Sequence, residues 1–302
     1  MNAITPKQQL LGFIGIGHMG RRIARRLLDH GYALIAYNRN RVAAEALVEH
    51  GASVADNVAT LASQADVILS CLANDDAVLS IYTGLQGVFA HARPSTAIIE
   101  MSTVLPRTSR ELHRLSLEAG VTFLDTPISG STPAAEQGAL TLFCGGDEEL
   151  FHAAQPLFSA IARQNFYLGP GGSGAMMKLV VNTLLGVGMQ AIAEAVALGE
   201  RTGLDRHRLF DVLSKTAVVA PAHTGKLQRA DLHDYSTQFG VGLMNKDFHL
   251  ILETAAEAKV PMPATAASFQ MNAAEFSGGG DEDFSAVIAL MERMAHLDSP
   301  SQ

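Results

Sequence analysis

A lysine and an asparagine four residues apart, Lys178 and Asn182, interrupt an apolar run that begins where the glycine-rich stretch Gly169–Gly174 stops. That spacing puts both side chains on one face of a helix, about one turn apart. A buried lysine costs desolvation free energy unless it is paired or used. Desolvation also lowers the pKa of an amine and brings proton exchange towards neutral pH. Such an amine suits proton delivery to a carbonyl oxygen under reduction, or removal of a hydroxyl proton in the reverse direction. Asn182 can donate to a carboxylate or hydroxyl of the same substrate. Spacing alone equally allows Lys178 to snorkel to solvent and Asn182 to act as a packing amide. A Walker-type phosphate loop is excluded: the lysine does not directly follow a glycine, and neither Ser nor Thr follows it.

A second constellation lies near the N-terminus. Gly15, Gly17 and Gly20 stand in G-x-G-x-x-G spacing, after the apolar run "LLGFI" and before an amphipathic segment. In that context the first glycine permits a tight turn, the second lets a pyrophosphate approach the backbone, and the third packs helix on strand. Unpaired N–H groups at the helix start then hold the anion. An NAD site carries Asp or Glu about 20 residues further on, for the ribose hydroxyls. Here the second strand ends in Tyr37, Asn38 and Arg39, followed by Arg41. A guanidinium suits a 2′-phosphate, so NADP(H) is the expected cofactor and NAD(H) the alternative; a merely solvated loop arginine is the plainer reading of Arg39. His18, inside the turn, has no carboxylate partner in view and reads as exposed.

Other candidates sit where strands end. Ser129, Gly130 and Ser131 follow the run "VTFLD", and consecutive N–H groups in such a turn can form an anion nest for a carboxylate; a plain Ser/Gly loop is the alternative. Thr103 ends the run "STAIIEM", at the carboxyl edge where open α/β sheets bind ligands. Leu72, Ala73 and Asn74 end "DVILSC" in the same way. No metal site is expected, because His223, His233 and His249 fit no ligand spacing.

The elements that position these groups fall into two halves. Up to Leu168, short β-rich runs alternate with amphipathic helices: strand "LLGFIGIG", helix 19–30, strand "YALIAYN", helix 41–50, strands "ADVILSCL" and "STAIIEMS", helix 106–119, strand "VTFLD", strand "ALTLFCGG", a helix over 148–160 and a strand near "NFYLG". Repeated βα units imply a parallel sheet with helices on both faces. From Gly169 the pattern is helical. Residues 175–201 read as one helix of roughly 40 Å, apolar on nearly every face and therefore expected to be buried by others. The expected domains are 1–168 and 169–302. "SGGGDEDFS" (277–285) reads as a turn before a last helix. With 302 residues, 48% apolar and 17% charged, the chain can bury a sizeable core. A net charge of −8 argues against nucleic-acid or membrane-surface partners. The N-terminus lacks a basic segment followed by a long apolar stretch, and two cysteines make no disulfide framework, so a cytoplasmic protein is expected.

Four ordered segments resemble the β-hydroxyacid dehydrogenase family, the relatives of 6-phosphogluconate and 3-hydroxyisobutyrate dehydrogenases: "GFIGIGHMG", "DTPISGSTPAAEQGALTLFCGG", "GPGGSGAMMKLVVN" and "NKDFHLIL". The resemblance spans nearly the whole chain. It implies a Rossmann-like domain followed by an all-α domain joined by a long central helix, with the active site between them. It implies hydride transfer between a nicotinamide and a small semialdehyde or hydroxy acid, with Lys178 as general acid/base and Ser129, Gly130, Ser131 and Asn182 on the substrate. It makes the glycine turn, with His18 and Met19, cofactor-binding, together with Asn38, Arg39, Leu72, Ala73, Asn74, Thr103, Phe239 as a wall of the nicotinamide pocket, and Lys246, taken to start the helix "KDFHLIL". A Lys246–Asp247 surface pair is the plainer reading of that lysine. "SGSTPAAEQG" looks most like glyoxylate and succinic semialdehyde reductases. Ser131 stands where hydroxyisobutyrate-type enzymes have a second glycine, and tartronate semialdehyde stays open as a substrate. Imine-reducing relatives usually lack the lysine at the Lys178 position, and a dinucleotide-sensing module would be expected to lose it or the Ser129–Gly130 turn. A homodimer or homotetramer through the helical domain is expected.

Overall fold

The computed structural model describes residues 2–278 and 282–297. The chain divides into two compact units between Lys178 and Leu179, inside the long helix Ser173–Arg201.

The first unit is built on a sheet of β1 (Leu10–Ile14), β2 (Ala33–Tyr37), β3 (Ser53–Val54), β4 (Val67–Ser70), β5 (Ala97–Glu100), β6 (Thr122–Asp125), β7 (Ile128–Ser129), β8 (Leu140–Gly146) and β9 (Ala162–Tyr167). Its order is β3-β2-β1-β4-β5-β6-β8-β7, with β9 also paired to β8. The six strands from β3 to β6 are parallel. β8 runs antiparallel to β6 and β7, so the sheet is mixed rather than purely parallel. Every residue of β4 and β5 is buried, the mark of strands covered on both faces. Successive side chains go to opposite faces. Leu11, Phe13, Val67, Leu69 and Ile99 join one apolar cluster, while Ile14, Ile35, Ile68 and Ile98 join another.

The helix His18–Asp29 buries Gly20, Ile23, Ala24 and Leu27, one stripe at helical spacing, and turns its arginines outward. Two expected helices are shorter than their sequence patterns. The one after β2 is α-helical only over Arg41–Glu45, followed by a 3₁₀ turn at Val48–His50. The one after β8 breaks into Glu148–Ala153 and Gln155–Ile161, because Pro156 has no N–H to continue the first.

The second unit is helical. The long helix continues into it and is followed by Arg206–Lys215, Pro221–Asp231, Val241–Ala258, Pro263–Ser277 and Val287–Met294. Close packing uses glycines of the long helix: a Cβ at Gly186 would lie 2.4 Å from the Phe248 ring. Arg206 joins Glu200 at 2.7 Å, the Ala230 carbonyl at 2.7 Å, and Glu292. The long helix is not covered on every face as its composition suggested. Met176, Val180, Leu184 and Leu198 are exposed, Leu184 by 72%. Of the expected 277–285 turn, residues 279–281 lie outside the described residues.

Candidate active site

The glycine turn joins β1 to its helix at the switch in strand order between β1 and β4. Gly15 has φ +96°, and a Cβ there would lie 2.3 Å from the Cys71 carbonyl oxygen, so both backbone angle and space demand glycine. A Cβ at Gly20 would lie 1.9 Å from the Gly15 oxygen. Gly17 differs: it is exposed, and among the described residues nothing beyond its own chain neighbours lies within 4 Å of the place a Cβ would take. No side chain caps the helix that starts at His18, and its first turn has no acid. Open space beside uncapped N–H groups is the arrangement a pyrophosphate needs, so the turn fits a dinucleotide. Asn38 clamps it: the Ile16 N–H donates to Asn38 Oδ1 at 2.9 Å, and Asn38 Nδ2 donates to the Asn40 carbonyl at 2.9 Å. His18 is exposed, and Met19 packs partly buried against the core. Arg39 is exposed and, among the described residues, makes no hydrogen bond or ion pair, whereas Arg41 is held by Glu45 at 2.8 Å and Asp56 at 2.7 Å.

Beside the turn, hydrogen bonds link the loops after β4 and β5. The Leu72 N–H donates to Ser102 Oγ at 2.7 Å, and the Ser102 N–H donates to Glu100 Oε1 at 2.9 Å. Ser70 Oγ donates to the same carboxyl at 3.4 Å and meets the Tyr82 hydroxyl at 2.7 Å. Burial pushes Glu100 up to about 7; bonds from Ser102 oppose this and the nearby Asp125 charge adds to it. Asp75 Oδ1 accepts from the Leu105 N–H at 3.0 Å and from Thr108 Oγ1 at 2.6 Å, which ties the second loop down again around the half-buried Thr103. Leu72 is half-buried and Ala73 exposed. Asn74 caps the helix Asp75–Tyr82 by accepting from the Ala77 N–H at 2.9 Å, so its oxygen serves the fold. Sequence reading passed over Glu100, although it is the single acid in the apolar run "STAIIEM".

At the candidate substrate turn, β8 is the common anchor. Ser129 of β7 pairs with Thr141. Two residues along β8, a Cβ at Gly174 in the long helix would lie 2.3 Å from the Phe143 carbonyl oxygen. The turn and the helix start are thus fixed to one strand, roughly 7 Å apart along it. Gly130 has φ +131° and faces Leu140 and Ala134 closely. Neither the Ser129 nor the Ser131 hydroxyl has a protein partner among the described residues. Asp125, the last residue of β6, accepts from the Gly172 N–H at 2.8 Å on Oδ1 and from the Ala175 N–H at 2.7 Å on Oδ2. Burial raises its pKa and these two bonds oppose the rise.

The long helix carries Lys178, 8% exposed, and Asn182, 1% exposed, one turn apart. Lys178 therefore does not snorkel into bulk solvent. Asn182 Nδ2 donates to Asp247 Oδ2 at 2.5 Å, while its oxygen has no partner among the described residues. One of the amide's donors is thus engaged within the protein rather than left wholly for a ligand. Lys246 Nζ lies 3.0 Å from Asp247 Oδ1. The plainer alternative, a Lys246–Asp247 pair, is present, but Asp247 is 1% exposed, so it is no surface pair. Nor does Lys246 start its helix, which begins at Val241 after Gly240. The buried carboxylate was legible: Asp247 shares the helix face of Met244 and Ile251. Phe239 meets Phe284 edge-on with centroids 5.7 Å apart. Its N–H and that of Gln238 both donate to Asp283 Oδ2 at 3.0 Å, and Lys226 Nζ reaches the same oxygen at 2.5 Å. Burial alone would raise Asp283, but Lys226 and the two N–H groups outweigh it and hold the carboxyl below its ordinary value.

Comparison with known proteins agrees with this geometry. Residues 10–169 match the family model described as the NAD binding domain of 6-phosphogluconate dehydrogenase. Residues 172–291 match the model described as NAD-binding of NADP-dependent 3-hydroxyisobutyrate dehydrogenase. Glyoxylate/succinic semialdehyde reductase 1 of Arabidopsis thaliana is 35% identical, over 93% of this chain and 98% of its own. An NAD-dependent L-serine dehydrogenase of Pseudomonas aeruginosa is 36% identical, over 93% and 97%. The solved structure of 3-hydroxyisobutyrate dehydrogenase from Mycobacterium tuberculosis with L-serine superposes with TM-score 0.84 at 30% identity, covering 94% of this chain and 99% of that one. A glycine turn built for a dinucleotide, a buried lysine on a helix anchored to the same sheet, and these likenesses lead to one conclusion: the chain belongs to the β-hydroxyacid dehydrogenase family of NAD(P)-dependent oxidoreductases.

Proposed function

We propose that the protein is an NADPH-dependent reductase of a small aldehyde bearing a carboxylate, of the glyoxylate, succinic semialdehyde or tartronate semialdehyde type, with Lys178 as the acid. The observation that carries this is the burial of Lys178 one helical turn from a buried amide, on a helix whose start is bonded to the sheet through the N–H groups of Gly172, just before it, and Ala175 in its first turn. A dinucleotide held by its pyrophosphate at the turn of Gly15, Gly17 and Gly20 would supply the hydride from its reduced nicotinamide. As charge develops on the carbonyl oxygen, a Lys178 ammonium within hydrogen-bond reach neutralises and protonates it. In the reverse direction the neutral amine takes the hydroxyl proton. The free hydroxyls of Ser129 and Ser131, with the N–H groups of their turn, suit the substrate carboxylate. The unpartnered Asn182 oxygen can accept from a substrate hydroxyl. The semialdehyde class is favoured by the 35% identity to the Arabidopsis reductase.

NADP(H) is favoured by the exposed, unpaired Arg39 at the end of β2. NAD(H) is the second reading, favoured by the NAD-dependent relative at 36% identity. The decisive experiment is Lys178→Ala. NADPH oxidation with glyoxylate or succinic semialdehyde should slow by on the order of 10²–10⁴ in kcat, with NADPH affinity kept. Wild-type turnover in that variant would overturn the reading. We also infer self-association, as a dimer or tetramer, through the uncovered stripe Met176, Val180 and Leu184 on the long helix.

A further inference from the structure

We infer that Asp125 is a positioning residue for Lys178: its carboxylate grips the start of the long helix and so fixes where the amine stands relative to the sheet. The inference rests on the reading of Lys178 as the proton donor. The grip is geometric. Asp125 ends β6, in register with Glu100 on β5 and Gly145 on β8, so its backbone is held from both sides. Its two oxygens accept separate N–H groups, Gly172 before the helix and Ala175 in its first turn, at 2.8 and 2.7 Å. Acceptance on both oxygens is the pattern of an ionised carboxyl, and such bonds are short and strong. A negative charge there also meets the positive end of the helix dipole.

Contact at this point is tight. A Cβ at Gly174 would lie 2.7 Å from the Asp125 carbonyl oxygen and 2.8 Å from Asp125 Oδ2, besides the clash with Phe143. A Cβ at Gly145 would lie 2.8 Å from the Gly174 nitrogen and 2.9 Å from Asp125 Oδ1. The helix start therefore has one seat, with Asp125 at its base. Lys178 follows Ala175 by three residues, a rise of about 4.5 Å along the helix. The backbone between the gripped N–H and Lys178 is a single hydrogen-bonded turn, so a shift at the seat carries the Lys178 Cα, and the base of its side chain, with it. Near-attack geometry is sensitive on that scale: a displacement of about 1 Å can cost on the order of 100-fold in rate.

The test compares Asp125→Asn, Gly174→Ala and Lys178→Ala with wild type. Asparagine keeps the volume, yet turns a donor towards one of the two N–H groups. Alanine at 174 keeps both the carboxylate and the lysine but pushes the helix off its seat. For both, kcat per folded enzyme should fall by about 10- to 100-fold, with NADPH affinity by fluorescence titration little changed. The primary deuterium isotope effect from deuterated NADPH should rise, which a mere loss of folded molecules would not cause. Hydrogen exchange should quicken in peptides covering 172–178 and stay unchanged in β1 and β4. Unchanged exchange at 172–178, or a wild-type isotope effect and kcat in both variants, overturns the inference; if Asp125→Asn does not fold, Gly174→Ala alone decides it by the same readings. An active Lys178→Ala enzyme overturns the proton-donor reading and takes this inference with it, whereas an inactive Lys178→Ala beside fully active Asp125→Asn and Gly174→Ala sinks the positioning role alone.

Discussion

Two arginines follow β2, and they are differently placed. Arg41 is bound by Glu45 and Asp56, so its charge is already answered. Arg39 has no such partner among the described residues. A 2′-phosphate would give Arg39 a divalent partner, and NADH offers none. Arg39→Ala should therefore weaken NADPH binding by about 10-fold or more, as expected for loss of a charge-assisted contact, and leave NADH binding nearly as it was. Titrating both cofactors by fluorescence checks this; equal losses would remove the phosphate assignment. The proposal for Arg39 could be raised from sequence alone, because it depends on a local fact, the missing carboxylate at the strand end. Asp125 and Glu100 were not readable in the same way. The partners of Asp125 are backbone N–H groups 47 and 50 residues away, and Glu100 joins the Ser102 N–H two residues on to Ser70, 30 residues away; no spacing rule connects the distant pairs.

Among the elements, those with a strong local period were the legible ones. β1, the glycine turn and the following helix are each specified by their own residues. β3 and β7 are two residues long, too short to show alternation, and exist because β2 and β8 offer them an edge. The antiparallel direction of β8 is equally a matter of partners. The long helix was legible in extent but not in burial, since periodicity cannot say whether an apolar face meets its own chain or another. Its exposed residues Met176, Val180 and Leu184 recur every four positions, one continuous stripe. Placing a charge in that stripe should disfavour association while leaving the monomer folded. If this stripe is the contact, the wild type should sediment as a multiple of the 32.0 kDa chain and Leu184→Glu nearer the mass of one. Identical sedimentation of the two would exclude this face as the contact.

For the whole molecule, the buried carboxyls shape how folding responds to pH. Glu100 has an ordinary value of 4.5 and stands at about 7 in the fold. The folded state then holds the proton more tightly than the unfolded chain. Its contribution to stability is complete below about 4.5, declines as pH rises, and is lost above about 7, a fall on the order of 3 kcal/mol. Glu100→Gln carries no titrating group at that position. Urea unfolding at several pH values between 5 and 8 should show wild-type stability falling relative to the variant. Parallel curves would mean that Glu100 is ionised throughout.

The division between Lys178 and Leu179 bears on how such enzymes can change substrate. A chimera spliced there would inherit Lys178, the proposed proton donor, with its seat and the dinucleotide turn from one parent, and Asn182, Phe239 and Asp247 from the other. On the proposed reading, substitutions in the helical half could retune what is bound near Asn182, while Lys178, the Ser129–Ser131 turn and the dinucleotide turn are inherited as one block.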